Sequence, residues 1–127
     1  MRIRYGTDIV KIERIERLLR RKDAAAAKLF TENERTYAEG RGRGLYATYA
    51  AMFAAKEAVI KALHGGDGTW HDIEVCHDAS GAPYLRLTGV AQTRSCELGV
   101  MSSTLSLSHE RDYAIAGVVM WEEETTL

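Results

Sequence analysis

The chain has 127 residues, 46% of them hydrophobic and 28% charged, with a formal net charge of −1; these values suit one globular domain, residues 1–127, with a real core. A near-neutral total gives no global attraction to nucleic acid or anionic membrane, and no apolar run reaches the roughly 20 residues a membrane-spanning helix needs. The opening MRIRYGTDIV lacks the apolar stretch of a secretory signal, and Cys76 and Cys96 stand outside any CxxC spacing, so reduced thiols in the cytoplasm are expected.

RIRYGTDIV reads as a short strand, with Gly6 close to Asp8, where backbone can approach a ligand. From Val10 to Lys22 the pattern turns helical: Ile12, Ile15, Leu18 and Leu19 share one face. Arg14, Arg17 and Arg21 gather on the opposite face, with Glu13 and Glu16 to one side. Residues 1–22 carry eight basic and three acidic side chains, whereas 110–127 carry one and five. The cationic stripe is either a solvated face or a surface for an acidic partner. Ala24 to Phe30 continues as a short helix. Thr31 to Glu34 (TENE) is a capping box that starts a helix ending near Glu39. GRGRG, Gly40 to Gly44, breaks it. It lacks both the GxxxxGK[ST] and the GxGxxG spacing, so on its own it reads as a flexible connection.

Leu45 to Leu63 is the long helix, and it is unusual. Leu45, Tyr49, Met52, Phe53, Val59, Ile60 and Leu63 form a bulky sector; Ala47, Ala51, Ala54, Ala55, Ala58 and Ala62 form a small one. Glu57 and Lys61 share the seam between them as an i, i+4 pair, and Lys56 projects from within the bulky sector. A surface helix has one apolar stripe and a broad polar face; this one is buried on most sides. His64, Gly65, Gly66 and Gly68 end it. Asp72 to His77 alternates like a strand, DASGAP supplies turn chemistry, and Tyr84 to Leu87 is the return strand. Val90 to Leu98 is a helix. Thr104 to Ser108 and Tyr113 to Met120 form a last antiparallel pair joined by HERD. Helices first and strands after argue for an α+β fold, a long central helix packed on antiparallel strands.

A carboxylate in a slit between apolar sectors needs a partner or a metal. Asp8 offers a second carboxylate. Two carboxylates with open positions suit Mg²⁺, which fills its remaining sites with phosphate oxygens and water. In SLSHERD, Ser106 and Ser108 face one side of a strand. His109 faces the other, which works against a Ser108–His109 hydrogen bond. Hydroxyls and imidazole together suit phosphate binding. His64, His71 and His77 have no metal-ligand spacing.

GTDIVKIERI, FAAKEAVIKAL, WHDIEV with GAPYLRLTG, and SLSHERDYAIAGVV occur in the order seen in holo-acyl-carrier-protein synthases. These are the small, single-repeat 4′-phosphopantetheinyl transferases, and the chain resembles them from about Tyr5 to Met120. The resemblance implies that fold, and transfer of 4′-phosphopantetheine from coenzyme A to a serine of an apo acyl carrier protein, releasing adenosine 3′,5′-bisphosphate. It implies Mg²⁺ held by Asp8 and Glu57, with Lys61 as the third catalytic residue, and a homotrimer with sites between subunits. Lys61, Gly65, Gly66, Ser106, Ser108 and His109 are then expected against coenzyme A. Arg14, Arg17 and Arg21 are expected to meet the acidic carrier, whose binding should weaken at high salt. Three positions depart from the family pattern. Met52 replaces an arginine that helps bind coenzyme A phosphate, His64 a glycine and Thr104 a histidine; Arg41 or Arg43 is the candidate to restore the charge. Other readings are a non-catalytic carrier- or nucleotide-binding module of the same fold, and a nucleic-acid binder. The last is disfavoured because the basic stripe has no interleaved aromatics.

Overall fold

The computed structural model describes residues 1–22, 24–66 and 68–123. Its elements are β1 (Arg2–Lys11), α1 (Ile12–Arg21), α2 (Ala25–Leu29), α3 (Glu32–Glu39), α4 (Leu45–Leu63), β2 (Ile73–His77), β3 (Pro83–Leu87), α5 (Gly89–Glu97), β4 (Val100–His109) and β5 (Tyr113–Glu122). The α+β class and the long central helix are as the sequence implies. The first helix begins later than its periodicity suggests: Val10 and Lys11 stay in β1, opposite Ala114 and Tyr113. Ladder pairing with β5 outcompetes helix formation there. The last two strands are longer than the apolar pattern marks, because exposed Ser102 and Ser103 of β4 still pair along β5.

Two antiparallel sheets result, one in the order β1-β5-β4 and one made of β2 and β3. On the larger sheet Ala114, Ala116, Val118 and Met120 of β5 turn inward and are buried beneath α4. Small residues there bring the helix close. Gly6 shows how close: a Cβ on it would lie 1.9 Å from the Ala58 carbonyl oxygen, so only glycine lets β1 rest on the helix backbone. The core gathers around α4, with Phe30 against Tyr49 at 4.7 Å and Phe53 against Trp70 at 5.2 Å between ring centres. The opposite face of the larger sheet stays open: Ile3, Tyr5 and Ile9 are 65%, 62% and 61% exposed, and Ile115 is 43% exposed.

Helix α3 starts with the expected capping box. Thr31 Oγ1 accepts from Glu34 N, and Glu34 Oε1 accepts from Thr31 N. Helix α4 ends on His64 in the left-handed conformation, φ 49° and ψ 47°. A non-glycine residue there costs roughly 1–2 kcal/mol. Replacing His64 with glycine should therefore stabilise the protein by about 1 kcal/mol after glycine's own entropy is counted, read as a higher midpoint in urea. A midpoint that stays or falls would mean that the imidazole makes up the difference.

Candidate active site

Inward-facing positions of β1 alternate, so Arg4, Gly6, Asp8 and Val10 all point toward α4. Gly6 brings strand and helix together, and Asp8, two residues on, meets the last turns of the helix. Lys61 Nζ donates to Asp8 Oδ1 and to the Thr7 carbonyl, both at 3.1 Å. The i, i+4 spacing suggests Glu57 as the partner of Lys61, but the contact goes across to the strand instead. Glu57 forms no hydrogen bond from its carboxylate to any described residue. Burial raises its pKa above the usual carboxylate value, and the nearby Asp8 charge adds to this; Lys61 and Arg14 pull it back. Asp8, Glu57 and Lys61 thus stand together.

A half-buried, undonated carboxylate beside a second carboxylate fits a divalent cation. No cluster of three or more His, Cys, Asp or Glu side chains suited to a metal occurs among the described residues. The protein's share would be two ligands, an arrangement Mg²⁺ accepts when phosphate and water complete its shell.

A second group lies elsewhere. A cavity of about 300 Å³ opens between α3, the first half of α4, the β2–β3 hairpin and β4. Its lining includes Arg41, Thr48, Met52, His77, Ser106 and His109. Met52 is almost wholly buried there. Arg41 lines this cavity and Arg43 does not. Ser106 and Ser108 share the open face of the sheet, and His109 turns to the helix side with Leu105 and Leu107. Thr104 is exposed on the open face.

His77 stacks on Tyr37 with ring centres 3.6 Å apart, and Arg41 lies over the other ring at 5.5 Å. Burial, with the Arg41 charge adding, holds His77 below the ordinary imidazole value of 6.5. The unfolded chain therefore takes up the proton first as pH falls. The contribution of His77 to stability is complete above that value and is lost as pH drops through the lowered folded one. His77→Phe keeps the stack and should flatten the pH dependence of the urea midpoint between about pH 7 and 5; an unchanged slope would count against this.

Gly65 and Gly66 form the turn after α4 with φ of 147° and 79°. On α1, Arg17 pairs with Glu13 and Arg20 with Glu16, whereas Arg14 and Arg21 have no ion pair among the described residues. Arg14 reaches close enough to act on Glu57.

Three residues outside the sequence-derived set complete the surroundings. Lys56 and Glu34 are both fully buried and 2.8 Å apart. Lys56 also donates to the carbonyls of Trp70 and Ile73, at 2.9 and 2.5 Å. Glu34 accepts from Val75 N at 2.8 Å. A lysine inside a bulky apolar sector was the signal for this pair. Arg94 of α5 donates to the Leu63 carbonyl at 3.0 Å, and no spacing pattern marks it.

An α+β unit with two carboxylates and a lysine at a strand–helix contact has charged groups of the kind that phosphate-ester chemistry uses. The model of the 4′-phosphopantetheinyl transferase superfamily matches residues 4–118. Curated proteins named holo-[acyl-carrier-protein] synthase are similar over most of their length. The one from Ruminiclostridium cellulolyticum is 43% identical, covering 94% of this chain and 92% of the relative. The one from Paramagnetospirillum magneticum is 47% identical, covering 94% and 95%. Among solved structures, the Chronobacterium ammoniagenes ACPS–CoA complex superposes with a TM-score of 0.86 at 29% identity, covering 98% of this chain and all of that one. The Bacillus anthracis holo-(acyl-carrier-protein) synthase in complex with CoA (3′,5′-ADP) gives 0.76 at 35% identity, covering 94% and 96%. The chain belongs to the 4′-phosphopantetheinyl transferase superfamily and, within it, to the holo-acyl-carrier-protein synthases.

Proposed function

We propose that Asp8, Glu57 and Lys61 are the machinery with which this enzyme moves 4′-phosphopantetheine from coenzyme A to a serine of an apo acyl carrier protein, releasing adenosine 3′,5′-bisphosphate. The observation that carries this reading is the meeting of Asp8, Glu57 and Lys61 at one strand–helix contact, permitted by Gly6. Residues 1–127 act as one domain in the cytoplasm; among the described residues no helix is long and apolar enough to cross a membrane.

Asp8 and Glu57 would hold Mg²⁺, which when bound neutralises the diphosphate and polarises the phosphoryl group. Lys61 stays on the same face to hold a phosphate oxygen, since phosphoryl transfer depends on charge and alignment more than on covalent chemistry. Glu57 is then the candidate to take the serine's proton. Gly65 and Gly66 can lie against the nucleotide because neither carries a side chain.

Ser106, Ser108 and His109 serve the coenzyme A phosphates from a neighbouring subunit. Within one chain Asp8 and Leu107 both stand opposite Ala116, on the two edges of a three-stranded sheet. They are therefore about 10 Å apart. The open apolar face formed by Ile3, Tyr5, Ile9 and Ile115 supports the homotrimer that would bring such groups together. Arg41, at the mouth of the cavity lined by Met52, is the side chain that compensates for the missing arginine; Arg41→Ala should raise the KM for coenzyme A, and an unchanged KM would remove it from the site. Arg14 and Arg21 face the acidic carrier, with Arg17 partly engaged by Glu13.

The test is to incubate the protein with coenzyme A, Mg²⁺ and apo carriers, and to record each carrier's intact mass. A gain of one phosphopantetheine that is lost with chelator supports the assignment. No gain with fatty-acid, polyketide or peptide carriers would favour a non-catalytic binding module.

A further inference from the structure

The last turn of α4 carries Lys61 and leads into the Gly65–Gly66 turn, and its terminal carbonyls can be accounted for one by one. Gly65 N donates to the Ile60 carbonyl at 3.3 Å, and His64 N to that of Lys61 at 3.4 Å. Both are long. Arg4 Nη1 donates to the Ala62 carbonyl at 3.2 Å, and Arg94 Nε to that of Leu63 at 3.0 Å. Arg94 Nη2 lies 3.5 Å from the His64 carbonyl. Two arginines from outside the helix therefore close an end that its own backbone closes weakly. They also set positive charge against the negative end of the helix dipole.

Arg4 is held by Glu122 across the sheet. Arg94 has no carboxylate partner among the described residues, and its hydrogen bonds all go to this turn. A Cβ on Gly65 would come within 3.4 Å of Arg94 Nε, and one on Gly66 within 3.4 Å of Arg94 Cβ and 3.3 Å of Ala91 Cα. The turn is thus clamped between α4 and α5. Helix α5 is itself fixed by Asp72, whose carboxylate accepts from Val90 N at 3.1 Å and whose carbonyl accepts from Thr88 N at 2.8 Å.

We propose that Arg94 is a positioning residue for the coenzyme A half of the reaction: through the Leu63 and His64 carbonyls it fixes the Gly65–Gly66 turn and the helical turn bearing Lys61. This rests on the transferase reading above. The carrier side should be indifferent to it, because the cationic stripe lies on α1. Loss of the guanidinium lets the turn move without emptying the core, since methionine keeps a stem that packs, with Ala91 and Leu63, against the two glycines.

The experiment measures the Kd for coenzyme A by titration calorimetry, and the KM for coenzyme A and for carrier by turnover. It uses the full-length protein, Arg94→Met and Arg94→Lys, with urea midpoints recorded for each. Arg94→Met should weaken coenzyme A binding by about tenfold, the scale of lost hydrogen bonds from a charged donor. The KM for carrier should stay within about twofold, and Arg94→Lys should recover part of the loss. Gly65→Ala provides a second route to the same turn. If both act there, the double variant should lose less than the product of the two single losses. Unchanged coenzyme A affinity in Arg94→Met, or equal losses toward both substrates, would overturn the assignment. If the unaltered protein binds coenzyme A but modifies no carrier, the transferase reading fails, and the Kd ratio alone decides the role of Arg94. If it binds no coenzyme A, both are overturned.

Discussion

Glu57→Gln should lower turnover by about 10²–10⁴-fold, the range expected when a positioned proton acceptor is lost, and at the same time make the metal-free protein more stable at neutral pH. The two effects share one cause. The carboxylate is partly desolvated and faces the charge of Asp8, so folding raises its pKa. The folded state then binds more protons than the unfolded chain as pH rises above the ordinary carboxylate value, and stability falls through that window. The deficit is complete above the raised value and absent in acid, where both states are neutral. The variant's advantage in chelator should therefore be present at pH 7 and vanish near pH 3. Added Mg²⁺ should stabilise the unaltered protein by mass action and leave the variant behind. Urea midpoints in chelator and in Mg²⁺, taken beside steady-state rates, check each part. Full activity at saturating Mg²⁺ would remove Glu57 from the chemistry, and identical midpoints at pH 7 would show that its carboxylate is not under electrostatic load.

Lys56→Met should cost about 3–5 kcal/mol, the scale for leaving a buried charge without its partner, which is a large part of the roughly 5–15 kcal/mol that holds a domain of this kind together. The ammonium is fully buried and has three acceptors: Glu34, and the carbonyls of Trp70 and Ile73. Methionine fills similar space but strands Glu34 inside the protein. Adding Glu34→Gln removes that stranded charge but keeps an acceptor for only one of Thr31 N and Val75 N, so the double variant should recover about 1 kcal/mol of the loss rather than all of it. Chemical denaturation of the two singles and the double closes the cycle. A single-variant loss below about 1 kcal/mol would mean that the pair is closer to neutral than its burial suggests.

Much of the site could be read from residue type and spacing. The strand glycine near Asp8 was read as a place for a ligand to come close, and what comes close there is the α4 backbone at Ala58. The seam on the long helix signalled polar groups with a task. The partner of Lys61 was beyond reach of such reasoning, because i, i+4 geometry sees only one helix and Asp8 comes from a strand more than fifty residues away. The boundary at Val10 fails for a related reason: local periodicity cannot weigh a ladder formed with β5, at the far end of the chain. Glu34 was legible as half of a capping box, yet its second carboxylate oxygen and its partner Lys56 are tertiary facts. Arg94 carries no local signal at all, since its function is to satisfy carbonyls on another helix.

Burial of α4 around nearly its whole circumference has a consequence for how the chain finds its fold. Hydrophobicity alone gives such a helix little instruction about which way to face or how far along its axis to sit, because many rotations and shifts would hide similar amounts of apolar surface. Lys56 breaks that degeneracy. In any other setting its ammonium would enter hydrocarbon without Glu34 and the two carbonyls, at a cost larger than small differences in packing. The buried pair therefore acts as an index mark for the helix. Once it is set, Asp8 and Lys61 come within reach of each other across strand and helix.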